Sequence, residues 1–181
     1  MSSLFESIKE NPIKPSKSKG VTFEEHLYYS KKIVQHLKEL GLKGERFLEL
    51  SCGNCVLSMY SEREMGGEVV AVDRWTELPT DKEAKGYLVK FKSDVAMVEA
   101  HEALPFRDST FDVVYALLVF YTMKRELRAK VLEEVRRVLR RGGVFVLADA
   151  YTMRGVRREV GMEEIAFFQD QGVYVSTFRK P

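Results

Sequence analysis

The run from Phe111 to Val119 constrains the fold most, because all but one of its residues are apolar. The longest uninterrupted apolar run, Val113–Tyr121, is shorter than the roughly 18 residues that a membrane span requires. A short, near-continuous apolar run is typical of a strand that is buried on both faces. The sequence therefore predicts a parallel sheet that helices cover on both sides.

Strand-like and helix-like segments alternate along the rest of the chain. Thr22 and Glu25 form a capping box before a helix that ends at Gly41. The other predicted helices cover residues 55–64, 80–92 and 124–140, and the predicted strands cover 46–50, 68–73, 96–100, 111–119 and 144–148. Residues 164–169 and 173–178 predict a hairpin around Gly172. The expected fold is α/β: a doubly wound, mostly parallel sheet with helices on both faces and a C-terminal antiparallel hairpin.

The domain organisation follows from composition. Residues 1–20 carry two prolines and four lysines with little apolar periodicity, and they are expected to form a flexible N-terminal arm. Residues 21–181 are enough for one domain with one core. The N-terminal residues lack the apolar segment of a signal peptide, so the protein is expected to be cytoplasmic. Two cysteines do not make a disulfide scaffold, and no membrane partner is expected.

Charge is unevenly distributed along the chain. The formal net charge is only +2, but residues 124–158 contain eleven Lys/Arg and four Asp/Glu, a local charge of +7. Such a segment can attract phosphates or acidic partners, but it is more often the solvated face of a helix. RNA or protein binding through residues 124–158 therefore stays an open hypothesis.

The loop after the first predicted strand has the features of a nucleotide site. In this fold class, ligands bind at the carboxyl ends of the strands, where the strand order reverses. The loop Ser51-Cys52-Gly53-Asn54-Cys55 is made of small residues, which let the backbone approach a ligand, and a helix follows it. Asp73 ends the next strand, 20 residues after Gly53, where an acidic side chain can bind both hydroxyls of a ribose.

The chain resembles the class I S-adenosylmethionine-dependent methyltransferases of the small, Rossmann-like kind. Four segments in the right order and spacing carry the resemblance: Phe47–Cys55, Val69–Asp73, Glu102–Phe106 with Ser109–Val114, and Val135–Gly143. They are similar to the family's glycine-rich first motif, its ribose-binding strand, its L-P-F and F-D-V-V signature, and its R-V-L-K-P-G-G turn. The resemblance covers roughly residues 22–181.

The resemblance implies that S-adenosylmethionine is the cofactor and S-adenosylhomocysteine the product. Glu49 would lie near the methionine ammonium, Gly53 would let the backbone pass close to the ligand, and Asp73 would bind the ribose. Trp75, two residues on, either packs against the adenine or is a partly buried core aromatic. The full set of implied cofactor residues is Glu49, Ser51, Cys52, Gly53, Asp73, Arg74, Trp75, Ala100, His101 and Leu118.

The sequence departs from the family pattern at three positions. Ser51 and Cys55 stand where the first motif usually has glycine. Ala100 stands where an aspartate usually contacts the adenine, and the neighbouring sequence offers Glu99, the side chain of His101 or the backbone N–H of His101 alone as the substitute.

The spacing of Cys52 and Cys55 also permits another interpretation. A strand, C-x-x-C and a helix in this order occur in thioredoxin-like proteins, in which the helix N-terminus lowers a cysteine pKa. That interpretation leaves Asp73 and the other three segments unexplained. A zinc site needs two more ligands, and the three histidines are not paired in spacing, so no metal is expected.

The acceptor side of the site is less defined by the sequence. Its candidate residues are Tyr28, Tyr29, Tyr121 and Tyr151. No asparagine-proline-proline-aromatic motif is present, so no catalytic base is identified. The short stretch 151–163 lacks the insertion that often walls in small substrates in this family, which implies an open site, a macromolecular acceptor, or a wall from a second copy in a homodimer.

The sequence thus predicts a methyltransferase that acts on an unidentified acceptor by in-line displacement. Two alternatives stay open. The first is a non-catalytic subunit that binds S-adenosylmethionine, and the second is a thiol-redox or metal protein that uses Cys52 and Cys55.

Overall fold

The structure is a computed structural model, which describes residues 6–7, 10, 17–42, 45–76, 80–100 and 102–181. Its strands are β1 (Lys17–Ser18), β2 (Val21–Thr22), β3 (Arg46–Leu50), β4 (Glu68–Asp73), β5 (Ala96–Glu99), β6 (Phe111–Leu117), β7 (Leu139–Ala150), β8 (Glu163–Asp170) and β9 (Val173–Arg179). The long helices described after residue 20 are α1 (Phe23–Glu39), α2 (Val56–Met65), α3 (Asp81–Lys90) and α4 (Arg125–Val138). Two 3₁₀ segments cover Phe120–Thr122 and Tyr151–Glu159.

The main sheet has seven strands in the order β5-β4-β3-β6-β7-β9-β8. Strands β3 to β7 run parallel, and β9 pairs antiparallel with both β7 and β8. The chain moves outward from β3 to β4 and β5, then returns to the other side of β3 for β6. The strand order therefore reverses between β3 and β6, where this class of fold places its ligand site. The predicted sheet, helices and C-terminal hairpin are confirmed.

The side chains of the parallel strands divide between two apolar layers. Phe47 and Tyr115 belong to the layer that contains residues of α1, α2 and α3, whereas Leu48 and Val114 belong to the layer that contains residues of α4. Successive strand residues point to opposite faces, so a strand with helices on both sides is apolar on both. This confirms the interpretation of the Phe111–Val119 run, of which β6 takes the first seven residues.

Capping residues define where two of the helices begin. Thr22 and Glu25 form the predicted capping box at the start of α1, and Thr80 and Glu83 form another before α3. Each box satisfies N–H groups that the first turn of a helix leaves without partners. None of the described helices combines the length and the apolar composition needed to cross a membrane.

The passage from α4 into β7 differs from the sequence prediction. The predicted helix extends to residue 140 and its strand begins at 144, but α4 ends at Val138 and β7 begins at Leu139. Leu139 pairs with Phe111, so β7 begins before Gly142 and Gly143. A Cβ on Gly143 would lie 2.9 Å from the carbonyl oxygen of Asp112, so this glycine permits close strand contact and does not terminate the helix.

The last part of the predicted N-terminal arm is ordered as a hairpin. Strands β1 and β2 pair antiparallel, and Lys19 and Gly20, both with positive φ, form the turn between them. Residues 17–22 are called the N-terminal hairpin below. Most of the first 16 residues lie outside the described part of the chain, so the prediction of a flexible arm is not tested there.

Candidate functional site

A cavity of about 460 Å³ opens at the carboxyl ends of β3, β4 and β6. Its size falls within the range of small-molecule sites. It is lined by Lys19, Gly20, Leu50, Ser51, Gly53, Val72, Asp73, Arg74, Thr76, Ala100, Glu102, Leu104, Leu118, Val119, Tyr121, Thr122, Met123, Leu127 and Val131. Six of the predicted cofactor residues are in this set: Ser51, Gly53, Asp73, Arg74, Ala100 and Leu118.

The loop after β3 turns sharply below this cavity. Ser51, Gly53 and Cys55 all have positive φ, at 52°, 60° and 62°. Left-handed backbone favours glycine, which explains why glycine is usual at the positions where this chain has Ser51 and Cys55. The N–H of Cys52 donates to the carbonyl oxygen of Val72 at 3.0 Å and joins the loop to β4.

Cys52 and Cys55 form a disulfide within this loop. Both residues are fully buried and belong to the core. A thiolate must reach a sulfur to exchange with it, so these sulfurs are protected while the loop stays folded. The part of the chain that the structure describes contains no group of three His, Cys, Asp or Glu residues that could hold a metal ion.

Asp73 is the acidic residue at the centre of the site. Its Oδ2 accepts a hydrogen bond from Gly53 N at 2.8 Å, and its Oδ1 accepts one from Trp75 N at 2.9 Å. Each carboxylate oxygen has a second lone pair, so Asp73 can accept two further hydrogen bonds from a ligand in the cavity. It therefore links the glycine loop to β4 and still offers acceptors for a diol.

Trp75 also holds the loop after β3 in place. Its Nε1 donates to the carbonyl oxygen of Gly53 at 3.0 Å, and its φ is 47°. Trp75 is half-buried and packs against the core layer of α1 to α3, and it is not among the residues that line the cavity. The adenine contact expected for Trp75 stays a prediction.

Glu49 and Cys52 lie below the cavity surface. Glu49 is fully buried, and its Oε1 accepts hydrogen bonds from Ser58 N at 3.0 Å and from Ser58 Oγ at 2.6 Å. Its Oε2 lies 3.8 Å from the Nζ of Lys19. Burial raises the pKa of Glu49 to about 7, against the opposing effects of Lys19 and Ser58.

Lys19 is a site residue that the sequence analysis missed. Its side chain is only 5% exposed, and its Nζ donates to the carbonyl oxygen of Leu117 at 2.7 Å. Burial lowers the pKa of this ammonium group, and the nearby carboxylates of Glu49, Asp73 and Asp149 oppose that effect. In the sequence, only Glu49 within β3 indicated that such a residue exists, because a buried carboxylate requires a partner.

Asp149 holds the loop that follows β6. Its carboxylate is buried, and Oδ2 accepts hydrogen bonds from Phe120 N at 2.9 Å and Tyr121 N at 3.2 Å. Its Oδ1 accepts one from Ala150 N at 2.8 Å. Asp149 thus sets the position of Tyr121, whose hydroxyl donates to the carbonyl oxygen of Lys19 at 3.1 Å.

One side of the cavity is apolar. Its side chains come from the loop after β5, the end of β6 and one face of α4, namely Ala100, Leu104, Leu118, Val119, Leu127 and Val131. Such a wall suits a flat aromatic ring. In the sequence, Leu127 and Val131 cannot be distinguished from core positions of the predicted helix 124–140. His101, proposed for the adenine, lies outside the described residues.

Of the four tyrosines expected on the acceptor side, Tyr121 lines the cavity. Tyr28 and Tyr29 contact the β8–β9 turn, where their hydroxyls donate to Asp170 Oδ2 at 2.8 Å and Gln171 O at 3.0 Å. Tyr151 stacks under the guanidinium of Arg154. These three side chains are not among the cavity-lining residues.

Comparison with known proteins agrees with this geometry. A family model described as "methyltransferase domain" matches residues 48–147, more than half of the chain. A search of curated proteins by sequence returns no match.

Solved structures share the fold at low sequence identity. The PH0226 protein from Pyrococcus horikoshii OT3 is 18% identical with a TM-score of 0.78, over 97% of this chain and 99% of that one. A SAM-dependent methyltransferase from Aquifex aeolicus is 19% identical with a TM-score of 0.68, over 83% and 88%. The 1,6-didemethyltoxoflavin-N1-methyltransferase from Burkholderia thailandensis, solved with S-adenosylhomocysteine, is 17% identical with a TM-score of 0.66, over 83% and 76%.

The match of the family model, the strand order and the carboxylate at the end of β4 agree with one another. The chain belongs to the methyltransferase-domain family, within the class I S-adenosylmethionine-dependent methyltransferases.

Proposed function

We propose that this protein binds S-adenosylmethionine in the cavity at the ends of β3, β4 and β6 and transfers its methyl group to a nucleophilic acceptor. The arrangement of Asp73 against Gly53 carries the proposal. It places a carboxylate with free lone pairs beside a loop that a ligand can approach, at the point where the strand order reverses.

The residues around the cavity suit the three parts of this cofactor. The apolar wall with Leu104 and Val131 suits the adenine, and Asp73 suits the ribose hydroxyls. Glu49 Oε2 and the carbonyl oxygen of Leu117 suit the ammonium of the methionine, because both are acceptors and both face an ammonium group already. When bound, the cofactor supplies a methyl group that its sulfonium has activated.

The protein's own contribution is mainly positioning. Of the two carboxylates among the described cavity-lining residues, Asp73 is assigned to the ribose hydroxyls and Glu102 pairs with Lys130 at 3.5 Å. No described histidine lines the cavity. We therefore infer an acceptor that is already nucleophilic near neutral pH, so that proximity and alignment supply the rate enhancement.

The basic segment gives less support to an RNA acceptor than its sequence predicts. Arg128 pairs with Glu159, Arg137 with Glu134 and Asp108, Arg140 with Asp112, and Arg157 with Glu164. Charges that are paired within the chain contribute less to phosphate binding than free ones. RNA, protein and small molecules are therefore tested separately as methyl acceptors in the experiment described below.

One observation favours the non-catalytic alternative. The N-terminal hairpin places an ammonium group at the end of the cavity that suits the methionine of the cofactor. A subunit that only binds the cofactor would show the same feature. So would a subunit that requires a partner to move the N-terminal hairpin out of the cavity. The thiol-redox alternative has less support, because both sulfurs are fully buried.

The experiment is methyl transfer from S-adenosylmethionine labelled in its methyl group. Purified protein is incubated with RNA, protein and small-molecule fractions of a cell extract, and Asp73→Ala is the matched control. We expect label in one fraction with wild type and none with the variant. Cofactor binding without transfer to any fraction would instead support the non-catalytic alternative.

A further inference from the structure

The N-terminal hairpin directs a cation into the ligand site. Lys19 lies at its turn, and the Nζ is buried against the carbonyl oxygen of Leu117 at 2.7 Å and the Oε2 of Glu49 at 3.8 Å. Leu117 ends β6 and Glu49 lies in β3, the two strands between which the strand order reverses. The hairpin therefore reaches the point where the strand order reverses, at which this class of fold binds its ligands.

A buried ammonium is stable only where acceptors compensate the loss of water. Lys19 has such acceptors: a carbonyl oxygen in contact and the carboxylate of Glu49 close by. Glu49 in turn has one oxygen that is buried without a hydrogen-bond donor among the described residues and faces this ammonium. The site is therefore shaped to hold one primary ammonium group.

The turn of the N-terminal hairpin contacts the loop after β6. The hydroxyl of Tyr121 donates to the carbonyl oxygen of Lys19, and a Cβ on Gly20 would lie only 2.6 Å from that hydroxyl oxygen. Glycine at position 20 therefore lets the hairpin lie this close to the loop after β6. Strands β1 and β2 pair with each other in a separate two-stranded sheet and not with the main sheet. The turn can thus lift away without breaking the main sheet.

We propose that Lys19 is an internal competitor of the cofactor, whose ammonium group occupies the subsite that the α-ammonium of S-adenosylmethionine requires. This inference rests on the proposed function. Two ammonium groups cannot share one carbonyl oxygen and one carboxylate at contact distance, since like charges repel at that range. Cofactor binding therefore requires the N-terminal hairpin to open, and the fraction of open protein sets the apparent affinity.

The opposite role for Lys19 makes the opposite prediction. A lysine that bound the carboxylate of the cofactor's methionine would strengthen binding, and its loss would weaken it. The sign of the affinity change on removing the ammonium group therefore separates competition from direct binding.

The test is calorimetric titration of two probes into wild type, Lys19→Met and Lys85→Met. S-adenosylhomocysteine carries the α-ammonium, whereas 5′-methylthioadenosine keeps the nucleoside and lacks the amino-acid part. Lys19→Met keeps the length and apolar stem of the side chain. Lys85→Met removes a charge from the exposed surface of α3, where Lys85 pairs with Asp81. The titrations are run near pH 8, about one unit above the raised pKa of Glu49 in wild type, and are repeated near pH 9 because Lys19→Met loses an effect that lowers this pKa.

We expect Lys19→Met to bind S-adenosylhomocysteine about tenfold tighter than wild type, as for a hairpin that is closed roughly nine-tenths of the time. Its affinity for 5′-methylthioadenosine should change less than about twofold, and Lys85→Met should match wild type for both probes. Tyr121→Phe, which removes the hydrogen bond from Tyr121 to the hairpin but keeps Lys19, should also bind S-adenosylhomocysteine tighter.

Weaker or unchanged binding of S-adenosylhomocysteine by Lys19→Met would overturn the inference. Asp73→Ala separates this failure from a failure of the cofactor assignment. If that variant loses both probes while Lys19→Met shows no gain, the cofactor site stands and the competition does not. If neither probe binds wild type or Lys19→Met, both the inference and the proposed function are contradicted.

Discussion

The N–H of Gly53 donates a 2.8 Å hydrogen bond to the Oδ2 of Asp73, so the loop after β3 and the end of β4 form one unit. Trp75 completes this unit, because its backbone N–H donates to Asp73 and its indole N–H donates to Gly53. The residues that the family pattern assigns to the ribose thus also determine the shape of the loop.

Trp75→Phe tests whether the indole N–H fastens the loop. The substitution keeps an aromatic ring and removes the hydrogen bond to the carbonyl oxygen of Gly53. We expect the free energy of unfolding to fall by about 1 kcal/mol and S-adenosylhomocysteine to bind several-fold more weakly. Urea denaturation and calorimetry measure the two quantities. Unchanged stability together with unchanged binding would show that the ring, and not the hydrogen bond, is what the site uses.

The double variant Cys52→Gly/Cys55→Gly tests the function of the cysteines. Cys55 has a φ of 62°, so glycine there relieves about 1–2 kcal/mol of left-handed strain. This gain offsets the loss of a disulfide that closes only a very short loop. We expect affinity for S-adenosylhomocysteine to be equal to or higher than that of wild type, measured by calorimetry under identical redox conditions. Complete loss of activity with cofactor binding intact would revive the thiol-redox alternative.

Asp149→Ala should destabilise the loop after β6. The buried carboxylate accepts hydrogen bonds from three backbone N–H groups, of Phe120, Tyr121 and Ala150, and alanine leaves all three without a partner. We expect the free energy of unfolding to fall by about 3 kcal/mol or more, as measured by urea denaturation. Asp149→Asn keeps a carbonyl oxygen and should lose less. Wild-type stability in Asp149→Ala would mean that these contacts do not hold the loop.

His26 should make stability depend on pH. Burial lowers its pKa to about 3, with a further contribution from Lys19, and neither ring nitrogen has a hydrogen-bond partner among the described residues. The folded ring stays neutral while the unfolded ring takes up a proton below about pH 6.5, so this contribution to stability is present above that pH and is lost as pH falls.

In wild type this loss is masked by Glu49. The pKa of Glu49 is raised to about 7, so the folded state takes up its proton first and gains stability over the same pH range. His26→Leu removes only the histidine effect. Between about pH 7 and 5, its free energy of unfolding should gain about 2 kcal/mol relative to wild type, measured by urea denaturation at both pH values. A difference that did not change with pH would contradict the neutral, buried state of His26.

The fold could be predicted from the sequence because its signals are local. The apolar run at β6, the capping box at Thr22 and the turn at Gly172 each specify an element within a few residues. Asp73 could be found for the same reason, since the end of a strand and a fixed distance from Gly53 locate it.

The missed features depend on contacts between distant segments. Lys19 meets Glu49 only because a positive-φ turn at Gly20 directs it over the sheet, and no periodic pattern records that path. Leu127 and Val131 satisfy a helical pattern equally well as core or as cavity wall. Strand β7 begins early because Leu139 finds a partner in Phe111, which the glycines at 142 and 143 obscured.

The most direct test of the central claim is calorimetric titration of S-adenosylhomocysteine into wild type and Asp73→Ala, with Glu126→Ala on the exposed surface of α4 as the control. The account predicts wild-type and Glu126→Ala affinities near 10 μM, about −7 kcal/mol, and at least about 100-fold weaker binding by Asp73→Ala. Equal affinities in wild type and Asp73→Ala would place the ligand elsewhere and contradict the assignment of this cavity.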